Sequence, residues 1–180
     1  MWDRKLPILR QSYCTAFVLA GALLLANLPA ISSAHAQSMG TSRTTVVKPL
    51  SIVSINDLSF GRIIPGTANS NIRIDEDNGN INIASGNATL AGGTVSRGEF
   101  TIVADPNTQV RITLPNRTFL NNNSGPQQMR VNRFRLDGPR NRNIGASGTL
   151  NFAIGAQLRV GANQAQGIYT GTFDVTVDYR

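Results

Sequence analysis

Hydrophobic and polar residues alternate with a period of two in the second half of the chain. The apolar positions within residues 150–160 are Leu150, Phe152, Ile154, Ala156, Leu158 and Val160. Within residues 167–180 they are Tyr169, Phe173, Val175, Val177 and Tyr179. This period predicts two half-buried β-strands. We expect them to form an antiparallel pair at the centre of a sheet, joined by a turn at residues 161–167.

Two further stretches have the composition of β-hairpins. Residues 72–85 contain Asn78-Gly79, a preferred central pair of the two-residue type I′ turn. Residues 94–104 and 110–114 flank the Asp-Pro-Asn sequence at 105–107, which is typical of a turn. The pattern therefore predicts one hairpin around each turn.

Two further apolar stretches complete the predicted strands. Residues 50–64 predict two short strands or one bent strand, and residues 129–136 predict one more. Residues 115–128 and 137–148 are rich in Asn, Gly and Pro and are expected to be loops. The chain thus contains about nine short strands and no sustained period of 3.6, which favours an all-β sandwich or barrel.

The first 36 residues have the features of a cleaved secretory signal peptide. A basic start precedes an apolar run at residues 13–28 and a small-x-small pattern that ends at Ala36. We therefore predict cleavage between Ala36 and Gln37, with export of the remainder. The apolar run is shorter than the roughly 20 residues that a spanning helix needs, so no stable transmembrane anchor is expected.

Removal of this segment would take away the only Cys, the only His and the only Trp. Residues 37–180 therefore offer no thiolate or imidazole for a metal site or for nucleophilic catalysis. The acidic stretch at 75–80 resembles a calcium loop, but Asn80 and Gly86 stand where an EF-hand needs glycine and glutamate. We predict no cofactor, no metal site and no catalytic residue. A hydrolase that uses two carboxylates stays open as an alternative.

The formal charge of the chain is +7, and arginine is concentrated in one region. Five of thirteen consecutive residues are Arg130, Arg133, Arg135, Arg140 and Arg142. A solvated strand face and loop would account for this pattern, and so would a surface that binds a polyanion. Nucleic acid is not expected as a partner, because the one aromatic in this region, Phe134, is predicted to be in the core and cannot stack on bases.

Six short motifs follow one another along the chain. They are Leu58-Ser-Phe60-Gly61-Arg-Ile63, Gly98-Glu-Phe100-Thr-Ile102-Val, Ile112-Thr-Leu114-Pro115, Met129-Arg-Val131 with Phe134, Phe152-Ala-Ile154-Gly155-Ala156-Gln-Leu158, and the ending from Gly167 to Tyr179. In this order they resemble a family of secreted bacterial proteins classed as a domain of unknown function, whose members look like pilin subunits. The ending is also similar to that of chaperone-usher and spore coat U-like subunits.

The resemblance implies an immunoglobulin-like antiparallel β-sandwich of the pilin-subunit type that lacks its final strand. A periplasmic chaperone would complete the sandwich first, and the N-terminal arm of the next subunit would complete it after passage through an outer-membrane usher. Such donation is β-strand addition. The implied contact residues are Tyr169, Phe173, Val175, Val177 and Tyr179, and the apolar donor residues are Val46 and Val47.

We therefore predict a signal peptide at 1–36, an arm at 37–49 that is a possible donor strand, and a sandwich domain at 50–180. The predicted function is that of a non-enzymatic structural subunit, which self-associates into a fimbria-like or surface-coat polymer outside the inner membrane. The alternative is a monomeric periplasmic or extracellular protein that binds an anionic glycan through the arginine-rich region.

Overall fold

The computed structural model describes residues 48–180, together with Thr44 and Val46. The predicted signal peptide, its cleavage site at Ala36 and Gln37, and Val47 lie outside the described residues. Within the described part every regular element is a β-strand. The prediction of an all-β protein is therefore confirmed. No helix with the length and hydropathy needed to cross a membrane occurs among the described residues.

The described residues form fifteen strands, of which nine span four or more residues. The first eight are β1 (Ser51–Asn56), β2 (Ser59–Phe60), β3 (Ile63–Ile64), β4 (Ser70–Ile74), β5 (Ile81–Ser85), β6 (Thr89–Leu90), β7 (Val95–Ser96) and β8 (Gly98–Val103). The others are β9 (Gln109–Thr113), β10 (Arg117–Asn122), β11 (Gln128–Leu136), β12 (Asn141–Asn143), β13 (Thr149–Val160), β14 (Tyr169–Thr170) and β15 (Thr176–Tyr179).

The largest sheet has eight strands and is centred on β13. Its main path is β1-β8-β13-β11-β10-β14, and β4 and β5 branch from β13. The first half of β13 pairs with β8 and the second half with β4, while β11 pairs along the opposite edge. Seven consecutive residues of β13, 152–158, are buried, as expected for a strand covered on both faces.

Smaller sheets pack over the inner face of this sheet. A three-stranded sheet has the order β12-β9-β15, and two ribbons are formed by β2 with β7 and by β3 with β6. All of the pairings are antiparallel. This layered antiparallel arrangement is consistent with a β-sandwich.

The interior consists of two cores. The first core lies under the two ribbons, and its larger buried residues are Phe60, Ile72, Ile74, Val131, Leu158 and Val160. The second core lies under the three-stranded sheet, and its larger buried residues are Ile102, Val110, Ile112, Ile144, Phe152 and Ile154. Phe134 packs against both cores, so the two are continuous through β11.

Two predicted pairings are wrong. The terminal strand β15 pairs with β9 and not with β13, because β13 already has neighbours on both edges. Residues 98–103 and 109–113 do not form a hairpin either, because β8 and β9 belong to different sheets. Residues 105–108 carry the chain between sheets, so Ile102 and Ile112 enter the second core from opposite sides.

The predicted hairpin at 72–85 is confirmed as the pair β4–β5, but its turn differs. The loop runs from Asp75 to Asn80, whose backbones are hydrogen-bonded, and only Gly79 of the central pair has a positive φ, of 73°. A type I′ turn needs two such residues. Residues 117–122, predicted as loop, form β10, and Phe119 of this strand is exposed.

Candidate functional site

The terminal segment, residues 167–180, crosses from one sheet to the other. Its β14 pairs with β10 of the eight-stranded sheet, and its β15 pairs with β9 of the three-stranded sheet. Between them, residues 171–175 form no ladder with any described strand. The alternation predicted here is present: Phe173, Val175, Val177 and Tyr179 are half-buried against the second core, and the residues between them are exposed.

Phe173 lies where the two cores meet. Its ring centroid is 5.1 Å from that of Phe134 and 6.2 Å from that of Phe100, in an edge-on arrangement with the latter. Phe100 in turn stacks on Phe152 at 5.4 Å. Aromatic pairs at these distances add to the stabilisation from burial. Phe173 is therefore anchored in the protein's own interior, and it also lines an open groove.

That groove has a volume of about 820 Å³ and lies beside the terminal segment. One wall is formed by residues 57–63 and the other by residues 164–173. Its remaining lining includes the apolar side chains of Phe100, Leu120, Met129, Leu158 and Val160. Four of these, Leu120, Met129, Leu158 and Val160, belong to or pack against the first core. The groove is therefore an opening through which that core is reached from outside.

Free strand edges border the groove. β1 ends the path of the eight-stranded sheet and pairs only with β8 among the described strands. The wall strand β2 pairs only with β7 in the same part of the chain. Apolar side chains are exposed along both walls and the adjoining strands, namely Val53, Ile55, Ile64 and Ile168. An unpaired edge with apolar side chains is a site at which another strand adds.

A family model described as a domain of unknown function, DUF4402, matches residues 50–179. The chain belongs to the DUF4402 family. The matched range contains both walls of the groove and all fifteen strands. No curated protein and no solved structure matches the chain. The prediction that it belongs to a family of unknown function is confirmed, whereas the pilin-like character inferred with it stays a prediction.

Both tyrosines of the terminal segment use their hydroxyl groups inside the DUF4402 domain. The Tyr169 hydroxyl donates to the carbonyl oxygen of Ala165 at 2.7 Å and accepts from Nε2 of Gln164 at 2.9 Å. The Tyr179 hydroxyl donates to the carbonyl oxygen of Lys48 at 2.8 Å and accepts from the amide of Asp105 at 2.9 Å. Tyr169 therefore shapes a groove wall, and Tyr179 fixes the start of the domain.

The arm that precedes the DUF4402 domain leaves it at Lys48. The Lys48 amide donates to Oδ2 of Asp105 at 2.9 Å, and Leu50 packs against the second core. Val46, one of the two predicted donor residues, is 90% exposed and packs against neither core. Lys48 is thus held against the domain, and the apolar side chain of Val46 faces solvent.

The five predicted arginines do not form one surface. Arg142 pairs with Oδ1 of Asp137 at 2.6 Å and lies 6.0 Å from the ring centroid of Phe152, so it has a structural role. Arg140 is exposed directly before β12, where its carbonyl oxygen accepts from the amide of Ile112. Arg130, Arg133 and Arg135 lie together on β11.

The acidic residues at 75–80 are used within the hairpin. Oδ1 of Asp75 accepts from the amides of Asp77 and Asn78, and the Glu76 carboxylate accepts from Arg73 at 2.8 Å. This hydrogen bond from Arg73 to Glu76 raises the pKa of the guanidinium. Among the described residues no group of three or more acidic side chains is placed to hold a metal ion.

The pattern of the sequence does not indicate the groove walls. Residues 161–167 were assigned only as a turn, yet Gln164, Ala165 and Gln166 form part of one wall. The available signal was Ile168, which stands on the polar parity of the terminal segment and is 70% exposed. An exposed apolar residue on the otherwise polar face of a strand indicates an interaction surface on that face.

Proposed function

We propose that this chain is a non-enzymatic structural subunit of a fimbria-like or surface-coat assembly, and that the groove accepts an extended strand from another molecule. The observation that carries the proposal is the apolar groove of about 820 Å³ between two chain segments with free edges. In β-strand addition, main-chain hydrogen bonds to a free edge provide affinity, and pockets for alternate side chains provide specificity.

The groove supplies both of these requirements. Residues 171–175 form no ladder with a described strand, and among their carbonyl oxygens that of Thr172 accepts from Oγ1 of Thr118 at 2.6 Å, so an added strand would pair with the other peptide groups. Phe173 presents an aromatic ring at this position, and Leu158 and Val160 form an apolar lining. An added strand with apolar residues at alternate positions would bury them against this lining while its backbone pairs with the wall.

The N-terminal arm of a second copy is the donor in this proposal. Val46 is exposed on its own domain, so a neighbouring subunit can take up its side chain. The arm leaves the domain at Lys48, which is fixed by Asp105 and Tyr179, and residues 37–47 would extend from that point to the next groove. Before assembly a periplasmic chaperone would occupy the groove, and an outer-membrane usher would exchange the chaperone for the arm.

The immunoglobulin-like, pilin-type character of the sandwich and the localisation belong to the same proposal. The antiparallel layers, the terminal segment at a groove and the exposed arm support it. Export through the signal peptide would bring the subunit to the periplasm and then to the cell surface. Burial of the exposed apolar edge in a polymer would also remove an aggregation site.

The direct test is the detergent resistance of material sheared from native cells. Strand-linked polymers should appear as a ladder without boiling and as one band after boiling. Deletion of residues 37–47 should abolish the ladder, because the donor is lost while the acceptor groove remains. A synthetic peptide of residues 37–49 should then bind the truncated protein with a stoichiometry of one.

A pair of substitutions distinguishes the loss of strand binding in the groove from a general effect of added negative charge. Ile168→Asp places a carboxylate on the groove wall and should eliminate the ladder and the binding of the peptide. Ile83→Asp changes an exposed isoleucine on β5, which does not line the groove, and should leave both unchanged. A monomer in both lanes for the unmodified protein, or a ladder that survives Ile168→Asp, would contradict the proposal.

A further inference from the structure

Six arginines lie on the outer face of the eight-stranded sheet, opposite the groove. We call them the arginine face, and they are Arg73, Arg117, Arg130, Arg133, Arg135 and Arg159. Three of them come from β4, β10 and β13, and none of these three belongs to the arginine-rich stretch in the sequence. Arg140 and Arg142 of that stretch lie outside this sheet.

Strand register places these residues in rows. One row across neighbouring strands is Arg117, Asn132, Gln157, Arg73 and Asn82. The next row is Phe119, Arg130, Arg159, Asn71 and Ser85. Directly opposite residues of antiparallel strands project from the same face. With strands about 4.8 Å apart, each row of five spans about 19 Å.

The positive charge on this face is only partly neutralised. Glu76 pairs with Arg73 at 2.8 Å and is 3.9 Å from Arg135. Arg117, Arg130, Arg133 and Arg159 form no ion pair within the part of the chain that the structure describes. Arg133 instead donates to Oε1 of Gln157 at 3.3 Å. The face therefore retains a surplus of cationic donors.

Arg130 and Arg159 are direct register partners on adjacent strands. Like charges placed opposite each other are destabilising, so stability of the fold does not explain this pair. Both residues line a depression of about 370 Å³, together with Phe119, Gln128, Gly161 and Gln164. Nε of Arg130 is buried and has no hydrogen-bond partner among the described residues. An anion in the depression would relieve the repulsion between the two guanidinium groups.

We propose that the arginine face binds an anionic polysaccharide, with the depression as the site of one carboxylate or sulfate group. Planar guanidinium groups suit such oxyanions, because they donate two parallel hydrogen bonds. Asn71, Asn132 and Asn82 supply amides along the rows for sugar hydroxyl groups. Phe119, 43% exposed beside Arg130, offers an apolar surface to the face of a sugar ring.

The same rows fit single-stranded nucleic acid less well. Binding of successive bases needs several exposed aromatic side chains as stacking platforms. Phe119 is the one aromatic residue in the two rows. The asparagine side-chain amides instead suit a ligand with many hydroxyl groups. The length of the rows suits an extended polymer.

The test measures binding of the full secreted chain to immobilised polymers at several salt concentrations. Polygalacturonate presents carboxylates, dextran sulfate presents sulfates, and neutral dextran is the control. We expect retention on one or both anionic polymers that weakens with salt, and none on dextran. The preferred polymer identifies the anionic group. Loss of both guanidinium groups in R130Q/R159Q should lower affinity about tenfold or more.

The matched control is R111Q/R140Q, which removes the same charge from two exposed arginines outside the face. Its affinity should stay within about twofold of the unmodified protein. Equal losses in the two double variants, stronger binding of a thymidine oligonucleotide, or no salt-sensitive retention would each overturn the proposal. The melting temperature of R130Q/R159Q should not fall, because a like-charge pair is removed. A monomer that fails to polymerise would still carry this face, so the result is independent of the groove.

Discussion

The two cores of the sandwich are covered to different extents. A three-stranded sheet lies over the second core. The core residues Val110, Ile112 and Ile144 are fully buried. Only two-residue ribbons lie over the first core, and a groove of about 820 Å³ opens between them and the terminal segment. The second core is therefore closed by a sheet, whereas the first core opens to the groove.

This difference suggests that the second core serves stability and the first core serves binding. The second core packs around Phe152 and Ile154 beneath a sheet and should contribute to stability without being reached from outside. The first core leaves Leu158 and Val160 within reach of the groove, although each is buried to 2% exposure. A strand added there would gain apolar burial without rearrangement of the second core.

The largest expected effect compares an isoleucine buried in the second core with one that packs against the first core from the groove wall. Ile112→Ala should lower the free energy of unfolding by about 2–5 kcal/mol, because the side chain is fully buried and leaves a cavity. Ile63→Ala, in the half-buried groove wall, should cost about 1 kcal/mol. Urea unfolding measured by circular dichroism gives both values.

Addition of the peptide of residues 37–49 makes this comparison sharper. The cost of Ile63→Ala should rise with the peptide bound, because the added strand buries the groove wall, and the cost of Ile112→Ala should stay the same. Equal costs for the two substitutions without peptide would show that the two cores are equally closed.

The second comparison uses two separate variants, each of which removes the hydroxyl group of one tyrosine in the terminal segment. Tyr179→Phe leaves the Asp105 amide and the Lys48 carbonyl without their partner and should cost about 1–2 kcal/mol. Tyr169→Phe removes the hydrogen bonds with Ala165 and Gln164, which are four and five residues away in the sequence, and should cost about 0.5–1 kcal/mol.

Hydrogen exchange distinguishes the two tyrosine variants further. Tyr169→Phe should speed exchange mainly at residues 164–168 of the groove wall, and Tyr179→Phe should do so across β9 and β15. Uniform acceleration in both variants would mean that the groove wall is no less stable than the second core.

The smallest effect concerns pH at the β1 edge. Hydrogen bonds from Arg97 and then from Asn56 hold the pKa of Glu99 below its usual range. Because the folded pKa is the lower one, the stabilisation is present above the ordinary carboxyl pKa and disappears as pH falls through the folded value. Stability of Glu99→Gln should therefore depend less on pH below the usual carboxyl range. Parallel pH profiles for the two proteins would exclude this role for Glu99.

The strands that local pattern predicts well are those whose alternation is long. β13 was predicted almost to its ends because every second residue from Leu150 to Val160 is apolar. Partners were predicted less well, because parity indicates which face of a strand is buried and not which strand lies beside it. The turn at 105–107 has the same composition whether it joins two neighbours in one sheet or crosses between two sheets.

The candidate sites form between residues that are far apart in the sequence. The groove forms between residues 57–63 and 164–173, about a hundred positions apart in the sequence. The arginine face requires the register that brings Arg159 opposite Arg130 and Arg73 opposite Gln157. In the sequence, by contrast, Arg140 and Arg142 stand closest to the arginines of β11 and lie outside the face. Composition indicated the chemistry of the face but not its members.

Three strands carry both surfaces on opposite sides. Leu120, Met129 and Leu158 line the groove, and their neighbours Phe119, Arg130 and Arg159 form a row on the outer face. A strand in the groove and a polysaccharide on the arginine face would thus contact the same backbone from two directions. Thermodynamic linkage then requires that the two binding events affect each other equally. If assembly changes the affinity for the polysaccharide by some factor, bound polysaccharide changes the affinity of the groove for the added strand by the same factor.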